Sequence, residues 1–130
     1  MNELKCGITG KVSFTVDKAS LAVNVGSGSL EVFATPMMIM LMEKAACCCI
    51  SEYLENDETT VGTELNVKHT SASPEGAEIY AVAELIAVNG RELTFKVEAF
   101  DNAGSIGCGT HKRFVVYGEK FTAKTKQKLN

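Results

Sequence analysis

Thr35-Pro36-Met37-Met38-Ile39-Met40-Leu41-Met42-Glu43-Lys44-Ala45-Ala46-Cys47-Cys48-Cys49-Ile50 is the stretch on which the fold turns. Thr35 offers an N-cap side chain, and Pro36 suits the first helical position, where a missing N–H costs nothing. No glycine or proline interrupts Met37 to Glu55, and the early part is rich in Met, Leu, Ala and Glu, so one long helix is predicted. Its first three turns are apolar nearly all round, the pattern of a helix buried on most sides. Glu43 and Lys44 interrupt the run, and Pro36 to Ile50 falls short of the ~20 apolar residues a bilayer span needs, which argues against a membrane protein.

Downstream of Asn56-Asp57 the period changes from that of a helix to two. Val61, Thr63, Leu65, Val67 and His69 form one face of a strand, with Glu64, Asn66 and Lys68 on the other. Ser73-Pro74-Glu75-Gly76 is a turn. Ala77 to Val88 reads as a second strand and Asn89-Gly90 as a two-residue hairpin. Leu93, Phe95, Val97 and Ala99 mark a third strand, Asp101 to Gly104 a turn, and Ser105 to Tyr117 a fourth. Upstream, Lys11 to Val25 mixes strand-like runs (Val12, Phe14, Val16, then Leu21, Val23, Val25), and Gly26-Ser27-Gly28-Ser29 is a flexible break. The lysine-rich residues 118–130 read as a peripheral, solvated tail. The order is α+β: a long central helix wrapped by a curved antiparallel β-sheet of about five strands. One sheet cannot cover the whole helix and leaves its own edge open, so a homodimer or a higher assembly, up to a tetramer, is expected.

Residues 1–130 are one domain's worth of chain, with no linker or internal repeat. A 45% apolar and 22% charged composition excludes a disordered chain. The net charge of −3 lacks the basic field of a nucleic-acid binder. Five cysteines, three of them adjacent, with no CxxC pair, fit neither a disulfide framework nor a zinc site. They read as reduced, apolar fillers in a cytoplasmic protein, and the N-terminus carries no apolar signal segment.

Three polar residues sit where their type is unusual. Glu43 is a carboxylate in the middle of the apolar helix. An exposed, lysine-paired glutamate is the commoner case, but Met40, Leu41, Met42, Ala46 and Cys47 crowd this one, and a buried carboxylate is expected to be paired or functional. Eight steps of ~100° bring it within about 80° of Thr35, so both can look into one pocket. His69 falls on the inward parity of its strand. Alone it would more often be a satisfied core histidine, but with Glu43 it supplies the acid/base couple that hydrolysis needs. Thr35 needs no function beyond capping, yet the helix start it marks presents free N–H groups and a positive dipole end suited to a developing oxyanion.

The remaining candidates are weaker. Cys47 to Cys49 read as core, and Gly104, Gly107 and Gly109 do not fit a phosphate-loop spacing. His111 and Arg113 share one face of the last strand, and Arg113 is either a plain surface arginine or the holder of an anionic group. Lys120, Lys124, Lys126 and Lys128 belong to the solvated tail, with a phosphate contact as the lesser alternative.

At these residues the sequence resembles the hotdog-fold acyl-CoA thioesterases, in their fluoroacetyl-CoA thioesterase branch. The resemblance runs from Val32 to Gln127. It rests on VFAT (Val32 to Thr35), the helix reaching Glu43, VGTELNVKHTSASPEG (Val61 to Gly76), VNGREL (Val88 to Leu93), GSIGCGTHKRFVV (Gly104 to Val116) and EKFTAKTKQK (Glu119 to Lys128). It implies a hotdog fold, a dimer with active sites at the subunit interface, and Thr35, Glu43 and His69 as the catalytic triad. It also implies Gly62 as a backbone position near the acyl group and Arg113 as the arginine of the GTHxR segment. The family's fluoroacetyl-specific enzyme lids its acyl pocket with phenylalanines from a longer segment before VFAT. Val25 to Glu31 has no aromatic residue here, which implies a broader or different short acyl-CoA.

The expected activity is hydrolysis of a short-chain acyl-CoA to the free acid and CoA, with CoA entering as part of the substrate and neither cofactor nor metal required. Thr35 and the helix N–H groups would polarise the carbonyl. Glu43 would act as nucleophile or as general base on water, and His69 would orient the attack and protonate the thiolate. The alternative is a non-catalytic hotdog protein that binds acyl-CoA or another small apolar ligand. A dehydratase is disfavoured because Thr35 and Pro36 occupy the helix start where its histidine/aspartate pair would stand.

Overall fold

A computed structural model describes residues 1–130. Strand β1 (Thr9–Thr15) leads through a 3-10 turn (Lys18–Ser20) and a single helical turn, α1 (Ala22–Val25), to the long helix α2 (Thr35–Ile50). Strands β2 (Glu58–His69), β3 (Glu78–Asn89), β4 (Glu92–Asp101) and β5 (Gly104–Tyr117) follow, and helix α3 (Gly118–Lys126) closes the chain. The strands form one antiparallel sheet in the order β1-β3-β4-β5-β2. This is the hotdog arrangement, with α2 lying on the concave face.

Binary patterning explains the core. Met38, Leu41, Met42, Ala45, Ala46 and Ile50 of α2 are buried against the alternate residues Ile79, Ala81, Ala83 and Leu85 of β3 and Phe95, Val97 and Ala99 of β4. The small alanines of β3 let the helix lie close. Gly10 of β1 goes further: a Cβ there would stand 2.5 Å from Cys49 N and collide with Ala45 O, so strand and helix meet backbone to backbone.

Several local expectations differ. Leu21 to Val25 is not a strand. Asp17 and Ser20 form a reciprocal capping box, the chain turns into α1, and Leu21 keeps only an isolated bridge to Phe33. Ala34, not Thr35, is the N-cap of α2: it is extended, its N–H is taken by Ser20 O, and its carbonyl accepts from Met37 and Met38. The helix ends at Ile50 rather than Glu55, tightening into a 3-10 turn over Ser51–Tyr53. The basic tail is ordered as α3, whose start is capped by the Asp57 carboxylate accepting from Glu119 N at 2.9 Å.

Two features bear on the site. The sheet ends at β2, whose alternation is reset by a bulge between Gly62 and Glu64. Helix α2 is not wrapped all round either. In the single chain a stripe containing Pro36, Met40, Glu43, Lys44 and Cys48 lies open or partly open, Met40 being 37% exposed. No helix is long and apolar enough to cross a membrane.

Candidate active site

Because Ala34 supplies the cap, Thr35 is the first helical residue and its hydroxyl is free for another partner. That partner is His69, the last residue of β2, whose Nδ1 lies 2.7 Å from Thr35 Oγ1. The other ring nitrogen, Nε2, is buried and has no hydrogen-bond partner. Burial pushes the imidazole below its ordinary value of 6.5, with the Ser71 backbone opposing, so it is neutral at pH 7. The Thr35 N–H donates to no backbone carbonyl, so an unpaired donor and the positive end of α2 share this corner. A cavity of about 400 Å3 opens here, lined by Ala22, Leu30, Phe33, Thr35, His69 and Ala72 among others. These groups can hold a carbonyl oxygen, accept a proton and return it.

Glu43 lies elsewhere. Eight residues along a helix are about 12 Å of rise, which carries it away from Thr35. Its Oε2 accepts from Arg113 NH1 at 3.1 Å, and its side chain is 39% exposed against 8% for Arg113. Gly62 makes this possible, since a Cβ there would stand 2.7 Å from Glu43 Oε2. Arg113 is held from behind: Nε donates to Thr60 Oγ1 (2.8 Å), NH2 to Thr60 O (3.0 Å), and NH1 also meets His111 Nε2 (3.2 Å). Fully buried His111 bonds Glu64 O through Nδ1 at 2.8 Å. Burial pushes this imidazole down too, Arg113 adding to the shift and the Glu64 carbonyl and Glu43 opposing it.

The two clusters occupy opposite ends of β2. Gly62 pairs with Arg113 and His69 with Gly107, seven residues further along and roughly 20 Å away. The structure therefore brings Thr35 to His69 and Glu43 to Arg113 and Gly62, but one chain alone does not put Glu43 in the cavity with the other two. Thr60 and His111 were not singled out as functional by sequence. His111 was legible through its shared parity with Arg113; Thr60 had no such signal, because only the β2–β5 register brings it to Arg113.

Comparison with known proteins is consistent with this architecture. The fluoroacetyl-CoA-specific thioesterase family, FlK, matches residues 16–119. The fluoroacetyl-CoA thioesterase of Streptantibioticus cattleyicolor is 47% identical over 98 residues, 75% of this chain and 70% of that protein. The crystal structure of a point variant of the fluoroacetyl-CoA thioesterase FlK in complex with acetyl-CoA superposes with a TM-score of 0.92 at 37% identity, covering 98% of this chain and 100% of that one. A thioesterase-superfamily member of Thermus thermophilus, 23% identical, shares the fold with a TM-score of 0.90 over 98% of this chain and 94% of its own.

Proposed function

This chain belongs to the fluoroacetyl-CoA-specific thioesterase family, and we propose from that premise that a site shared between two copies does the hydrolysis, with Thr35 and His69 from one subunit and Glu43 of the partner subunit. The protein is an acyl-CoA thioesterase. The observation that carries the site reading is the Thr35–His69 hydrogen bond at the mouth of the cavity, with an unpartnered imidazole nitrogen beside it.

The shared site requires two pairings, and an open edge strand and an open helix stripe are there to make them. An antiparallel pairing of edge strand β2 with its own copy, about a two-fold near Leu65 and Asn66, sets Gly62 of one subunit opposite His69 of the other. A two-fold near Ile39 and Met40 packs the open stripes of two α2 helices and sets Thr35 opposite Glu43. The same assembly thus covers the open strand edge and the exposed Met40, and closes the gap between the clusters.

In this site the thioester oxygen sits at the start of α2, polarised by the Thr35 N–H and hydroxyl. Glu43 of the partner subunit, anchored through one oxygen by Arg113, attacks the carbonyl directly or deprotonates a water that does. The C–S bond breaks, water supplies the acid's new oxygen, and one proton of that water passes by way of His69 to the CoA thiolate, so that Glu43 and His69 end as they began. The step draws on no metal or redox group, and CoA enters only as part of the substrate. Val25 to Glu31 puts no aromatic side chain over the cavity, so the acyl preference is for short chains broader than fluoroacetyl. Five free cysteines fit a reducing, cytoplasmic setting.

Mixing inactive variants tests the reading. Glu43→Ala and His69→Ala should each lower thiol release from acetyl-, propionyl- and fluoroacetyl-CoA by about 10²- to 10⁴-fold. Co-refolding them in equal amounts should return about a quarter of wild-type activity, because half the dimers are mixed and each of these has one intact site. Failure to complement would overturn the shared site, and full activity in both variants would overturn the chemistry.

A further inference from the structure

We propose that His111 is a positioning residue for the hydrolysis, setting the Glu43 carboxylate through Arg113. The inference rests on the role given to Glu43 above. Arginine has no acceptor, so in the 3.2 Å contact the His111 Nε2 must accept from Arg113 NH1. The proton of the neutral ring is therefore on Nδ1, where it donates to Glu64 O at 2.8 Å. The bulge between Gly62 and Glu64 lies beside this carbonyl, so an irregularity of the edge strand sets the tautomer of a core histidine. NH1 has two hydrogens, one for His111 and one for Glu43 Oε2, while Thr60 takes Nε and NH2. Four of the five guanidinium N–H groups are thus engaged, three by the sheet and one by Glu43.

The groups facing the ring are few. Its own strand brings the Arg113 cation, α2 brings the Glu43 carboxylate, β2 brings the Glu64 carbonyl, and β4 brings the apolar Phe95 ring at 6.1 Å. A proton added to Nε2 would turn an acceptor into a donor against Arg113. The contact would be lost, and Glu43 with it.

Two amide substitutions separate the ring's two bonds. His111→Gln places an acceptor where Nε2 stood, and His111→Asn keeps a donor where Nδ1 stood but offers Arg113 nothing. His111→Gln should retain at least about a third of wild-type kcat, and His111→Asn should lose about 10- to 100-fold in kcat with KM changed less than about threefold, as expected for a carboxylate displaced by about an ångström. The acid limb of the kcat profile should involve one proton fewer in His111→Gln than in wild type. Equal kcat losses in the two variants, wild-type kcat in His111→Asn, or an unchanged acid limb in His111→Gln would overturn the inference. If Glu43→Ala is itself fully active, the underlying reading fails instead. If Glu43→Ala is inactive and His111→Asn is not, only the role of His111 falls. Should neither amide variant fold, Arg113→Lys, which cannot satisfy His111 and Glu43 together, should show the same loss in kcat with KM unmoved, and wild-type kcat there would also overturn the inference.

Discussion

His69, half-buried at the end of β2, and His111, fully buried on β5, are both imidazoles of depressed basicity, yet the rings are wired differently. His111 has both nitrogens engaged, by Glu64 and by Arg113. His69 has one engaged by Thr35 and the other buried without a partner. Buried polar atoms are nearly always satisfied, so the vacant nitrogen marks where a reacting group belongs, and the saturated ring marks an anchor. The surroundings agree: His69 borders a cavity of about 400 Å3, whereas His111 packs against Phe95 and carries 0% exposure. A shared fall in basicity therefore does not imply a similar role, and the count of free hydrogen-bonding positions separates the two.

The contrast is broken most sharply at Thr35. Removing its hydroxyl in Thr35→Ala should lower kcat by about 10²-fold, the scale of one oxyanion-stabilising donor. Thr35→Ser should recover most of the loss. Thermal midpoints should hold in both variants, because Ala34 and not Thr35 caps the helix. A fall in the midpoint typical of a lost cap, with kcat intact, would return Thr35 to a structural role.

The opposite end is sharpened by Gly62→Ala. The new Cβ would stand 2.7 Å from Glu43 Oε2, the far end of a flexible side chain, so the carboxylate swings away rather than the fold giving way. About a 10-fold loss in kcat is expected, with a thermal midpoint within a few degrees of wild type. Calorimetry beside a thiol-release assay checks both halves, and unfolding without a selective activity loss would refute the placement of Glu43.

The smallest effect is the one the two rings share. Both imidazoles take up a proton less readily folded than unfolded, so between the two values the unfolded chain binds more protons and stability rises with pH. Their contribution is complete above the unfolded value of about 6.5 and is lost as pH falls below it toward the folded values. The thermal midpoint should decline below about pH 6.5, and His111→Gln should flatten that decline. An identical pH dependence in the variant would show that the His111 end does not contribute.

Much of the fold was legible locally. Met37 to Ile50 without a breaker made α2, period two made β2 to β5, and Asn89-Gly90 made the β3–β4 hairpin. The residues Thr35, Glu43, His69 and Arg113 could be picked out because each has the wrong polarity for its run or shares a face with another polar group. The errors fell where local preference was outvoted: Leu21 to Val25 has strand-forming side chains but is drawn into a turn by the Asp17–Ser20 box, and Thr35 is a better cap by type than the Ala34 that Ser20 O holds in place.

The sequence by itself determined which segments are helix and strand, and which side chains are chemically out of place, because both follow from neighbours within a few residues. Only the tertiary structure decided who meets whom. Thr60 and Arg113 lie 53 positions apart and touch only through the β2–β5 register, and a one-residue slip there would turn His111 and Arg113 to the other face. The separation of Glu43 from His69 is tertiary too: His69 meets the opening turn of α2 at Thr35, and Glu43 stands about 12 Å further along that helix, against Arg113.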